Sequence, residues 1–206
     1  MMDDCEEVLR FWFPRQPVED HATMARQYAW WFRGGGDADI AARFSSTFGQ
    51  AASGAYDHWT ATPRGRLALI VVLDQFSRTL HRDSPLAFAQ DAKALALALE
   101  GIANGHYAAL DTPWEKTFFF MPLGHCEELQ HLDTVVGLAQ DLAAHASPEH
   151  RRILEHSVSQ ARGHRDVIAR FGRRPHRNAI LGRTSTPAEL HYMATEEAVH
   201  LRRIEL

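Results

Sequence analysis

A chain of 206 residues, 45% hydrophobic and 23% charged, has the make-up of an ordinary globular protein. At that length it buries roughly 70% of its unfolded surface without disulfides or metal, and a single domain over 1–206 is expected. A net charge of −4 gives no global attraction to nucleic acid, which excludes it as an expected partner. Cys5 and Cys126 form no CxxC pair, which argues against a disulfide framework or zinc finger and fits a reducing, cytoplasmic setting. The opening MMDDCEEVLR is acidic and lacks the basic and apolar stretches of a secretory signal. The longest aliphatic run, Leu67 to Leu73, is far short of the roughly 20 residues that cross a bilayer, so no membrane role is expected.

In chain order, Asp3–Phe13 carries Val8, Leu9, Trp12 and Phe13 at helical spacing, with Pro14 ending the element. A second helix is expected from Asp20 to Phe32, before Gly34-Gly35-Gly36. A third is expected from Asp37 to about Ala55, with Ile40, Phe44, Phe48 and Ala51 on one face. Five Ser/Thr–Pro pairs then mark helix starts: Thr62-Pro63, Ser84-Pro85, Thr112-Pro113, Ser147-Pro148 and Thr186-Pro187. A hydroxyl at N-cap accepts from an orphan amide, and Pro at the next position lacks an N–H that had no partner anyway. Glu115 and Glu189 complete capping boxes after two of them. The segments that follow are Arg66–Leu73 with its continuation, Ala87–Glu100, and Arg151–Phe171 closing at Gly172. The alternation ALALALALE imitates a strand, but Ala and Leu are strong helix formers and not β-branched, so helix is expected. Pro122 either kinks a helix that continues from Phe118–Phe120 or opens a new one. The fold class is all-α, with eight or nine helices in stacked hairpins.

Three polar segments interrupt this pattern. The first, LDQFSRTLHRDSP (Leu73 to Pro85), puts Asp74, Arg78 and Arg82 at i, i+4 and i+8 on one helical stripe, with Gln75 beside them. The second, FFFMPLGHCEEL (Phe118 to Leu129), sets His125, Glu127 and Glu128 at a helix start. The third, His164 to Glu189, reads as a helix end, an arginine-rich loop and a capped new helix. Its surroundings are basic: nine arginines lie between Arg151 and Arg183 against Glu155 and Asp166 alone.

These segments, in this order, resemble the bacterial domain of unknown function 924 family, with its LDQFxRNxxR, MPxxHSED and HxxxIxRFGRxPHRNxxLGRxST patterns and a following Glu. The opening VLRFWFP and the Trp30-Trp31-Phe32 triplet are similar to that family too, so the resemblance covers essentially the whole chain. It implies an all-helical, tetratricopeptide-like cytoplasmic protein and supplies no reaction. Asp74, Gln75, Arg78, Arg82, His125, Glu127, His164, Pro175, His176, Arg177, Asn178 and Arg183 match the patterns. The chain departs from them at Ser77, Thr79, Gly124, Cys126 and Arg174.

Each segment has a structural and a functional reading. Asp74, Arg78 and Arg82 form either an ion-pair ladder or, with Gln75, an anion-binding face. His125, Glu127 and Glu128 satisfy a helix N-terminus or, with His164, form an imidazole–carboxylate pair for proton transfer. Arg173, His176, Arg177, Asn178 and Arg183 bind a phosphate or carboxylate, or bond to carbonyls at helix ends. Two Glu-x-x-His pairs, Glu128–His131 and Glu197–His200, lack the further glutamates of a helical metal site, so neither metal nor cofactor is expected.

The leading expectation is a small anionic ligand or protein partner held in a cleft where the three motifs meet. The alternatives are an enzyme using His125, Glu127 and His164 on an acidic or phosphorylated substrate, and a protein-interaction scaffold.

Overall fold

The computed structural model describes residues 4–13 and 21–199. It is 75% helical, and no strand occurs among the described residues. Among the described residues there are 10 helices when one continuous α–π–α run is counted once, slightly more than expected. No helix among the described residues is long and apolar enough to cross a membrane. The chain divides into two compact units, Met1–Pro122 and Leu123–Leu206.

The first unit opens with α1 (Asp4–Trp12) and α2 (His21–Phe32); the expected start at Asp20 lies outside the described residues. The expected third helix is broken at Phe44 into α3 (Asp37–Arg43) and α4 (Ser45–Ala52). There the Ser45 hydroxyl bonds back to the Ala41 carbonyl at 2.6 Å, and Phe44, with φ −117°, buries its ring among Phe11 and Phe76. Past a 3₁₀ turn (Asp57–Ala61), Thr62 caps α5 (Pro63–Ile70) by accepting from the Gly65 amide at 3.1 Å. The helix runs on through a π segment (Val71–Phe76) into α6 (Ser77–Leu80).

From Gly65 to Phe76 only Gln75 is not buried, so this run is the axis of the unit, apolar almost all round as a central helix must be. Around it Phe11, Trp12, Phe44, Phe76, Trp31 and Phe118 meet largely edge to tilted face. Ser84-Pro85 opens only a 3₁₀ turn (Pro85–Phe88), and α7 begins later than expected (Asp91–Ala103). The ALALALALE run is helical, burying Ala94, Ala98 and Gly101. Glu115 and Thr112 form the expected capping box of α8 (Pro113–His125), which continues through Pro122 instead of restarting there.

In the second unit, α9 (Leu129–Ala144) and α10 (Pro148–Phe171) form a hairpin joined by three residues. α9 contributes Leu132, Val135, Ala139 and Leu142 to the buried side, and α10 contributes Ile153, Leu154, Val158 and Ala161. Ser147 precedes Pro148 without a side-chain cap bond. Gly172, at φ 67°, ends α10, and its amide bonds to the Ile168 carbonyl at 2.8 Å. The capping box of Thr186 and Glu189 starts α11 (Pro187–Thr195), whose Tyr192 packs on Val167, Phe171 and Val199.

Candidate functional site

The second and third motifs meet in the second unit. His125 is the last residue of α8 and Glu128 the N-cap of α9, so the second motif spans a helix end and the turn after it, not the expected helix start. In that turn Glu127 accepts from Arg183 through both oxygens, at 2.7 and 3.1 Å, and from the Arg174 amide at 2.7 Å. Burial pushes its carboxyl up. The bonds from Arg183 and the Arg174 amide outweigh that, and it sits below the ordinary 4.5.

Arg174, only 2% exposed, donates to the Gly124 carbonyl and to Nδ1 of His164 at 2.9 Å. A guanidinium only donates, so that His164 nitrogen acts as an acceptor. Arg177, 8% exposed, donates to the His125 carbonyl at 3.1 Å. Two buried guanidiniums thus gather at the last carbonyls of α8, where the helix dipole is negative. Arg183 also holds the Arg174 carbonyl at 3.0 Å.

The rest of the loop is fixed from its far side. Arg173 forks onto Glu189 at 2.6 and 2.8 Å and reaches the Thr184 carbonyl at 2.9 Å. That guanidinium and the Thr186 amide hold the Glu189 carboxyl down at about 2. Asn178 is buried; its amide nitrogen donates to Ser185 Oγ at 3.0 Å, and its Oδ1 has no hydrogen-bond partner among the described residues. His176 is exposed on the short 3₁₀ turn Pro175–Arg177.

The first motif lies in the first unit. Asp74, 1% exposed within the π segment, receives Arg78 at 3.1 Å and the Gln75 amide at 2.6 Å. Arg78 also pairs with Asp91 at 2.9 Å and lies over the Phe88 ring. Arg82 does not continue this ladder. It falls beyond Leu80, the last residue of α6, and pairs with Asp37 at 2.5 Å, an acceptor that Thr79 shares.

Of the two Glu-x-x-His pairs, Glu128 and His131 are 3.4 Å apart, and His200 lies outside the described residues. No group of three or more His, Cys, Asp or Glu side chains fit to hold a metal occurs among the described residues.

Buried polar groups that the sequence did not single out lie in the first unit. Arg66, 2% exposed, bonds His106 Nδ1 at 3.2 Å, the Leu97 and Thr60 carbonyls, and Glu100 at 3.0 Å. Burial and the neighbouring guanidinium hold His106 below its usual range. Arg64 bridges Glu6 and Glu115, at 2.8 and 2.6 Å, tying α1, α5 and α8 together. It lines an open hollow of about 370 Å³ with Cys5, Thr62 and Asp111. A second hollow, of about 420 Å³, lies between α9 and α10 beside Gln140, Glu155 and Arg162. None of the candidate ligand-binding or catalytic residues named from the sequence lines either one.

No curated protein matches the chain. Among solved structures it is similar to a protein of unknown function, ATU0120, from Agrobacterium tumefaciens. The two share 29% identity at a TM-score of 0.69, over 92% of this chain and 96% of that one. The three motifs, the opening VLRFWFP and the helical frame that carries them agree with a match over residues 8–197, and the chain belongs to the family of bacterial proteins of unknown function DUF924.

Proposed function

We propose that the arginine-rich loop of the second unit binds a small anionic molecule, with Arg183 and His176 as its first contacts and the largely buried Arg177 beside them. The observation that carries this reading is the meeting of motifs 47 to 56 residues apart in one cluster. Between Arg173 and Arg183 the chain places four arginines and His176 with no carboxylate of its own. Such a stretch generates a positive local field, and guanidinium forks match carboxylate and phosphate oxygens. Arg183 retains 23% side-chain exposure and His176 is open to solvent, so an arriving anion has donors to meet. A cytoplasmic metabolite carrying a phosphate or several carboxylates fits this chemistry.

Glu127 acts here as an anchor: it stays charged and holds Arg183 in place. An acid–base enzyme built on the same residues is the second reading, favoured by one contact. His164 Nδ1 accepts from Arg174, which fixes its other ring nitrogen as the proton-bearing one in the neutral ring.

The test is a thermal-shift panel of inorganic phosphate, phosphorylated sugars, and di- and tricarboxylates, run on the wild type, Arg177→Gln and His176→Ala. A ligand at a hundredfold excess over its Kd stabilises by about 2.7 kcal/mol, several degrees in Tm for a chain of this size. A shift in the wild type that shrinks in both variants supports the site. No shift across the panel, or one that both variants keep in full, contradicts it.

A further inference from the structure

The 24-residue helix α10 carries Arg151, Glu155, Val158, Ser159, Arg162 and Asp166 along one flank. Successive steps of 4, 3, 1, 3 and 4 residues keep all six within a stripe of about 100° at 3.6 residues per turn. The spacing reads the same from either end, about a midpoint between Val158 and Ser159. The charges do not: plus, minus, plus, minus in one direction becomes minus, plus, minus, plus in the other. A helix laid antiparallel on an identical copy about that midpoint therefore meets the opposite sign at every charged position. Glu155 faces Arg162 of the second copy, Arg151 faces Asp166, and both pairs recur by symmetry.

The side chains are available for this. Arg151, Glu155, Ser159, Arg162 and Asp166 are exposed, and among the described residues Glu155, Ser159 and Arg162 make no side-chain hydrogen bond or ion pair within the chain. The contacts of the outer two are long: Arg151 lies 3.5 Å from the Ala146 carbonyl, and Asp166, 71% exposed, lies 3.5 Å from Arg165. The stripe also borders the hollow of about 420 Å³ that Gln140 and Ala143 of α9 help to line, an apolar-floored recess that a facing helix would cover.

We infer that α10 is a self-association surface and that its partner is a second copy of this chain, docked antiparallel about a two-fold axis through Val158 and Ser159. A two-fold interface uses one patch twice, so the patch must complement its own inverted image. This stripe does. The inference stands independently of the anion site.

Sedimentation velocity of the full chain at low salt tests it. The wild type is expected to form a reversible dimer that weakens as salt screens the exposed pairs. Glu155→Arg alone, or Arg162→Glu alone, sets like charges opposite each other and weakens self-association by about tenfold or more. An equimolar mixture of these two variants is expected to dimerise again, because the mixed dimer pairs Arg with Glu at all four inner positions. The double exchange within one chain restores the homodimer likewise. A wild type that remains monomeric at every accessible concentration overturns the inference. So does a dimer indifferent to both reversals, or a mixture that associates no better than either variant alone.

Discussion

Glu127 ties the second motif to the third, and its surroundings define what it does. Two bonds from Arg183 and one from the Arg174 amide occupy its oxygens, and its carboxyl is held below the ordinary 4.5. A carboxyl lowered on folding stabilises the protein above its unfolded pKa, and that contribution is lost as pH falls through the folded value. Glu127→Gln is therefore expected to destabilise the protein at pH 7. The magnitude lies between that of an exposed pair and that of a buried one, about 1–3 kcal/mol. The difference from the wild type should shrink on acidification below the ordinary carboxylate range. Denaturant unfolding of both proteins at neutral and acid pH reads this directly; a difference that stays constant with pH contradicts it. Nothing in the sequence identified Arg183 as Glu127's partner, since 56 residues separate them and the local pattern after His125 read as a helix start.

At the scale of elements, caps were legible because they are local. Thr62, Thr112 and Thr186 each hold the amide that a Ser/Thr–Pro start anticipates. The helix start at Ser84 is shorter than its local pattern implies, because a capped Pro secures only the first turn and the chain turns again before Asp91. The break at Phe44 was hidden in an unbroken apolar period: tertiary burial of its ring overrides the local helical signal.

α7 offers a sharper check. A Cβ on Gly101 would lie 2.3 Å from Phe119 Cζ and 2.6 Å from Arg66 Cδ, whereas one on Gly137 of α9 meets nothing within 4 Å. Gly101→Ala should overpack the centre of the first unit and destabilise by about 1–3 kcal/mol. Gly137→Ala should stabilise by about 0.5–1 kcal/mol through helix propensity alone. Thermal melts of the two variants should move in opposite directions, and equal shifts would contradict the buried placement of Arg66 against Gly101.

At the scale of the molecule, the all-helical class followed from residues that specify their own neighbourhood: capped starts, strong helix formers and the absence of hairpin turns. The candidate site was legible only as a set of residue types. Arg173, Arg177 and Arg183 were in view, but their partners are helix-end carbonyls and carboxylates contributed from elsewhere in the chain, which no short-range pattern encodes. The buried network of Arg66 is hidden from the sequence for the same reason. Arg66 sits at the start of an aliphatic run, and its partners Glu100 and His106 lie 34 and 40 residues further on.

The most direct test of the anion site is to see an anion in it. Crystals of the full chain soaked with tungstate, an electron-dense phosphate mimic, should show an anomalous peak within hydrogen-bonding distance of the Arg177 or Arg183 guanidinium, and that peak should vanish in Arg177→Gln. Tungstate bound elsewhere with none at this loop, or a peak unchanged in the variant, would contradict the site.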